Sequence, residues 1–209
     1  LFDMVISTNP GPSTPMTPYG WRQSFGTTPW PQSANVTTDE FDAAYVNYIT
    51  TGAQGGLPGN NYLANGYTAD GTPFQWWYTV DFAQLNLPIQ LSAAIINASN
   101  DDAPIDYDQN GVDTLQDVGK NFLANTMSAA NLIDGTVSGL DLDTQDFTNN
   151  FNDGDYTGQN IINAVPFATY AADEPDNYLK QLYGGYSVII TPTVGIQALI
   201  INLTATQFA

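Results

Sequence analysis

Oxygen-bearing side chains recur at even spacing in one stretch, Asp106-x-Asp108-x-Asn110-Gly111-x-Asp113-x-x-x-Asp117. The spacing matches a calcium loop, D-x-[DN]-x-[DN]-G with a carboxylate at the twelfth place. Alternate oxygens converge on one point when a glycine permits a sharp turn. On this reading Asp106, Asp108, Asn110 and Asp117 bind Ca²⁺ through side chains and Val112 through its carbonyl. Two features depart from the pattern. Asp stands where a bidentate Glu is usual, and Pro104-Ile105 occupy the place of an entering helix. The other reading is a turn that caps a helix starting near residue 111.

Other candidates are weaker. Asp141, Asp143, Asp146 and the run Asn152-Asp153-Gly154-Asp155 fit no ligand spacing and read as solvated turns, as does Asp101-Asp102. Trp76-Trp77-Tyr78 suits a core or an interface better than a stacking platform. The chain has no His and no Cys, so histidine bases and thiolates are excluded. No nucleophile elbow, P-loop or dinucleotide fingerprint is present. A carboxylate pair could cleave glycosides, but among so many carboxylates no pair singles itself out. The chain reads as a non-enzyme.

Three Lys and Arg face 21 Asp and Glu, a net charge of −18. Three scattered cations form no patch for phosphates, so nucleic acid and anionic membranes are disfavoured partners. Charged residues are only 11% of the chain. Its surface must be largely neutral and polar, which costs little to desolvate and suits subunit contacts. No run approaches the roughly 18 apolar residues of a membrane span. The sequons at Asn35, Asn97 and Asn202 read as chance in so Asn- and Thr-rich a chain.

Six prolines (Pro10, Pro12, Pro15, Pro18, Pro29, Pro31) forbid a regular helix before residue 37. Phe2, Tyr19, Trp21, Phe25 and Trp30 share that stretch, so residues 1–36 read as an extended arm lying on protein surface. Residues 37–209 read as one α/β domain. Thr37 to Glu40 resembles a capping box that opens a helix with Phe41, Tyr45 and Ile49 on its apolar face. Residues 52–73 read as loop, and 74–82 (FQWWYTVDF) as an aromatic strand. Residues 83–97 fit a strand or a helix. Three- and four-residue spacing of Val112, Leu115, Val118, Phe122, Met127, Ala130 and Ile133 predicts a helix over about 111–133. Turns with short strands follow to 160, then a strand candidate over 160–170. A short helix is expected over about 174–183, with Pro175 in its first turn.

Two C-terminal strands, 186–191 and 196–206, are joined by Pro192-Thr193-Val194-Gly195. The second is long, nearly continuous in β-type and aliphatic residues, and uncharged. Bare on a sheet edge it would aggregate, so it needs a partner. The expected fold is α/β (α+β): a mixed sheet, these two helices, a C-terminal β-hairpin and the arm.

Two stretches resemble structural proteins of tailed-phage virions. In residues 93–135 an Asn-rich turn precedes Pro104-x-x-Tyr107-x-Gln109-x-Gly111-Val112 and a helix. In residues 162–208, Val165-Pro166-Phe167 is followed by Pro175-x-x-Tyr178, Thr191-Pro192-x-x-Gly195 and a last strand ending Thr206-x-Phe208. This half of the chain is similar to tail sheath and related tail proteins. Ile196 departs from the family's aromatic after the glycine. Asp106 and Asp108 stand where the family is less acidic, so the resemblance implies no calcium site. It implies a virion subunit that assembles with itself and with other virion proteins through exchanged strands and arms. Two other classes stay open, a calcium-dependent extracellular binding module (adhesin or carbohydrate-binding) and a secreted donor-strand filament subunit.

Overall fold

The computed structural model describes residues 10–11, 15–16, 19–20, 22–30, 35–54 and 57–195. The expected strand over 196–206, with Phe2 and Trp21 of the arm, lies outside them. The chain is α+β, and its contacts divide it into two compact units. Residues 78–193, with the segment ending at Met16, form the first. Residues 17–77 belong to the second. The arm read as 1–36 is thus shared between the two.

The second unit is built on a hairpin. Helix α1 (Asn35–Ala43) precedes strands β1 (Tyr48–Gln54) and β2 (Leu57–Ala64), which pair antiparallel with a register shift between Thr51 and Ala53. The capping-box reading of Thr37 fails, because α1 begins two residues earlier. Tyr45 adopts a left-handed φ of 55°, which ends helical winding and frees Ile49 for the strand. The expected loop over 52–73 is in large part β2. Its glycines and Pro58 hid a strand held by pairing rather than propensity. The arm dresses both edges of the hairpin. The Ser24 N–H donates to Asn61 and the Leu63 N–H to Arg22, while the Trp30 N–H donates to Ile49. Of the arm's rings, Tyr19 is buried edge-on to Phe74, Trp30 meets Phe41, and Phe25 stands out at 82% exposure.

Helix α2 spans Phe74–Asn100. The aromatic strand expected over 74–82 is its first turns. Its buried line runs Gln75, Thr79, Ala83, four residues apart, and two of these are polar. An apolar-periodicity reading passes over such a line, and the aromatic β-formers between them mislead. Pro88 sits inside the helix and supplies no N–H to the carbonyl of Gln84.

In the first unit, α3 (Gln109–Phe122) continues as a π-helix over Leu123–Ser128. The winding expected to 133 stops earlier, where Asn131 turns left-handed at φ 57°. Leu123, Met127, Ala130 and Leu132 are fully buried and form the core with Ile161 and Ile162. Met16 joins them, its N–H donating to Ala130 and its carbonyl accepting from the Asn131 amide.

A three-stranded sheet has the order β3-β4-β5. Strand β3 (Val137–Leu140) runs parallel to β4 (Asn160–Ala164), and β5 (Tyr186–Ile189) runs antiparallel to β4. Helix α4 (Thr144–Asp153) connects β3 to β4 where turns were expected. Asp143 caps it by accepting the Asp146 N–H, and Gly154 ends it at φ 84°. Its polar sequence, anchored by buried Phe147, conceals it. The strand candidate over 160–170 is β4 followed by α5 (Phe167–Asp173). Then α6 (Pro175–Leu179) starts at Pro175 as expected but ends short of the expected 183, where Gln181 turns left-handed at φ 55°.

The sheet is fastened by neutral amides. Gln116 donates to the carbonyls of Leu140 and Ile162. Asn160 donates to Asp134 and accepts from the Thr191 N–H. No disulfide is possible, and the ion pair between Lys120 and Asp117 is solvent-exposed. Such exposed pairs contribute little.

Candidate functional site

The Asp loop folds as a helix start. Asp108 is the N-cap of α3, extended in backbone, its carboxylate accepting the Gly111 N–H at 2.9 Å. Gly111 is required by close approach. A Cβ there would lie 1.9 Å from the carbonyl oxygen of Asp106. Asn110 and Val112 are already helical, and the Val112 carbonyl accepts the Tyr186 hydroxyl at 2.7 Å. Asp117 pairs with Lys120 at 2.9 Å. Asp106, Asp108 and Asn110 do line one cleft of about 330 Å³, together with Ala94, Ala98 and Thr114. Asp117 and Val112 do not line it. Among the described residues no group of three or more acidic side chains is arranged to hold a metal ion.

Behind this loop stands an aromatic ladder that sequence spacing does not reveal. Tyr107 meets Phe167 edge-on and leans on Tyr178. Tyr170, Tyr183 and Tyr186 make a second run of ring contacts. The hydroxyls of Tyr107, Tyr170, Tyr183 and Tyr186 are anchored to main chain. Tyr107 donates to Leu182, Tyr183 to Val165, and Tyr170 accepts the Gly184 N–H. Burial raises the phenols of Tyr183 and Tyr186 well above their ordinary range, and nearby carboxylates add to it. The Pro-x-x-Tyr and Val-Pro-Phe elements thus meet at one place, with Gln109 bridging by accepting the Phe167 N–H.

The other feature is the open side of β5. The Val165 N–H donates to Gly185, so the main-chain groups of alternate residues from 185 onward point at β4. Those of Tyr186, Val188 and Ile190 point away. Among the described residues β5 pairs with β4 alone. Beside it runs a groove of about 390 Å³, lined by Val188 and Ile190 of this segment and by Val80, Ala83, Gln84, Leu87 and Pro88 of α2. Every lining side chain but Gln84 is apolar. No family model, curated protein or solved structure matches this chain. Its two sites therefore rest on their own geometry. The groove offers main-chain donors and acceptors beside apolar walls, the two requirements of an added strand. The Asp cleft offers carboxylate oxygens, one of them already committed to a helix cap.

Proposed function

We propose that the chain is a structural subunit of a bacteriophage virion, a tail sheath-like protein that self-assembles by strand and arm exchange. One observation carries this reading: an open strand edge, β5, lies beside an apolar groove. A chain of charge −18 associates with copies of itself most cheaply through uncharged surfaces. The groove is uncharged, and so is the sequence of residues 196–206. That run supplies the alternating aliphatic side chains an added strand needs. Partners are further copies and other virion proteins, and the location is the particle. Negative-stain imaging of the purified chain is the test. Rings or tubes that vanish when residues 196–209 are removed support the reading. A dispersed monomer at all concentrations, or unchanged polymers after removal, refutes it.

A second reading has one observation in its favour. Asp106, Asp108 and Asn110 share a cleft, which suits a calcium-dependent binding module. A Tm raised by millimolar Ca²⁺ beyond the shift given by Mg²⁺ would support it.

A further inference from the structure

The outer face of α2 carries an apolar seam that is left exposed among the described residues. Leu85 is 68% exposed, Ile89 59% and Ile96 58%. With Ser92 they fall at steps of four, three and four residues. That is the a/d spacing by which one helix packs on another. Flanking the seam, Pro88 and Ile95 are also exposed. No charged residue occurs between Asp81 and Asp101. Each of the other α-helices among the described residues carries at least one carboxylate, so a stretch of helix this long without charge marks a place where like-charged copies can meet.

We infer that this seam pairs with the same seam of a second copy, antiparallel about a two-fold axis. The spacing is self-complementary. Reversed on itself, it sets Leu85 against the partner's Ile96 and Ile89 against the partner's Ser92, a large residue facing a small one. Pro88 then faces the partner's Ile95, and Asn86 the partner's Ala93. No carboxylate enters the seam, but Asp81 borders one end and Asp101-Asp102 the other, so the antiparallel register sets like charges near each other at both ends. A two-fold contact uses one surface twice, which a single chain can satisfy without any other protein. An electrostatic partner would need charge here, and none is present. The contact adjoins the β5 groove at Pro88, but Leu85, Ile89, Ser92 and Ile96 do not line that groove, so copies joined by strands can also be joined by helices.

The absence of cysteine makes the test direct. Copies carrying Ile89→Cys are mixed with copies carrying Ser92→Cys and mildly oxidised, in a Val188→Lys background that blocks the strand edge. A crosslinked dimer is expected, while Gln90→Cys copies, off the seam, stay monomeric. In sedimentation, Leu85→Glu with Ile89→Glu should weaken pairing roughly thirtyfold, as loss of interface anchors does, with far-UV circular dichroism unchanged. Pairing should strengthen with salt, because both copies are negative. Absence of the 89–92 crosslink overturns this inference, and polymers formed by the same copies with Val188 restored leave the strand reading intact. A crosslink without polymers does the reverse. Binding of neutral phosphatidylcholine vesicles in place of copy pairing also overturns it.

Discussion

The side-chain amide of Asn163 pairs twice with the main chain of Leu142. It donates to the Leu142 carbonyl at 2.9 Å and accepts the Leu142 N–H at 2.9 Å. A side chain thereby does the work of one more strand pair, continuing the β3–β4 register past Leu140.

Asn163 is fully buried, so losing its amide strands both Leu142 groups. Asn163→Leu should lower stability by about 2–4 kcal/mol, two unmade buried bonds at the usual cost. Urea unfolding measures it. A midpoint equal to that of the parent would show that water replaces the amide.

Capping and calcium separate at Asp108. Asp108→Asn keeps an acceptor for the Gly111 N–H and should leave the apo Tm nearly unchanged. Asp108→Ala should cost about 1 kcal/mol. If Asp108→Asn abolishes a calcium-induced rise in Tm, the loop binds the ion. If the parent shows no such rise, the loop is a cap alone. Gly111→Ala should be worse than either cap variant, because its Cβ collides with the Asp106 carbonyl.

Alkali should loosen the aromatic ladder. The folded phenols of Tyr183 and Tyr186 hold their protons above the ordinary value of 10.0. Above that pH the unfolded chain loses protons that the folded chain keeps, so stability falls as pH rises. The contribution is whole below about pH 10 and drains away above it. Thermal melts at successive pH values should show the decline, and Tyr183→Phe should flatten it. Absorbance titration should find late-ionising tyrosines. A parent whose tyrosines all ionise together near pH 10 would contradict the buried ladder.

Edge charge tests the strand acceptor. Val188→Lys adds a cation beside the open side of β5, the device by which natural sheets repel added strands. Assembly should be lost while the monomer melts within about 0.5 kcal/mol of the parent, as exposed substitutions usually do. Normal particles from this variant would remove β5 from the assembly scheme.

Where buried residues were apolar and evenly spaced, the fold could be read from residues alone. Helix α3 is the clear case, and α6 announced itself through Pro175. Polar burial defeated the same reasoning. Gln75 and Thr79 define the hidden line of α2 but count as surface residues, and Phe147 alone anchors α4. The hairpin β1–β2 was masked by glycines whose cost is offset by pairing with the arm. At the Asp loop both readings were on the table from spacing. What spacing could not supply was the Asp106 carbonyl over Gly111, a contact fixed only once α3 is in place. The groove beside β5 brings together residues about a hundred positions apart, which no local pattern can reveal.

The amides that fasten the sheet have a consequence for how the protein answers its surroundings. Asn160, Asn163 and Gln116 neither gain nor lose a proton at any pH that leaves peptide bonds intact. The 21 carboxylates, by contrast, can be neutralised toward the pI of about 4.1. Acid therefore discharges carboxylates while the sheet's amide fastenings stay as they were. The sheet's own bonds are not what acid removes as the repulsion between copies fades. For that part of the molecule acidity is a control on crowding, adjusting how closely copies can gather.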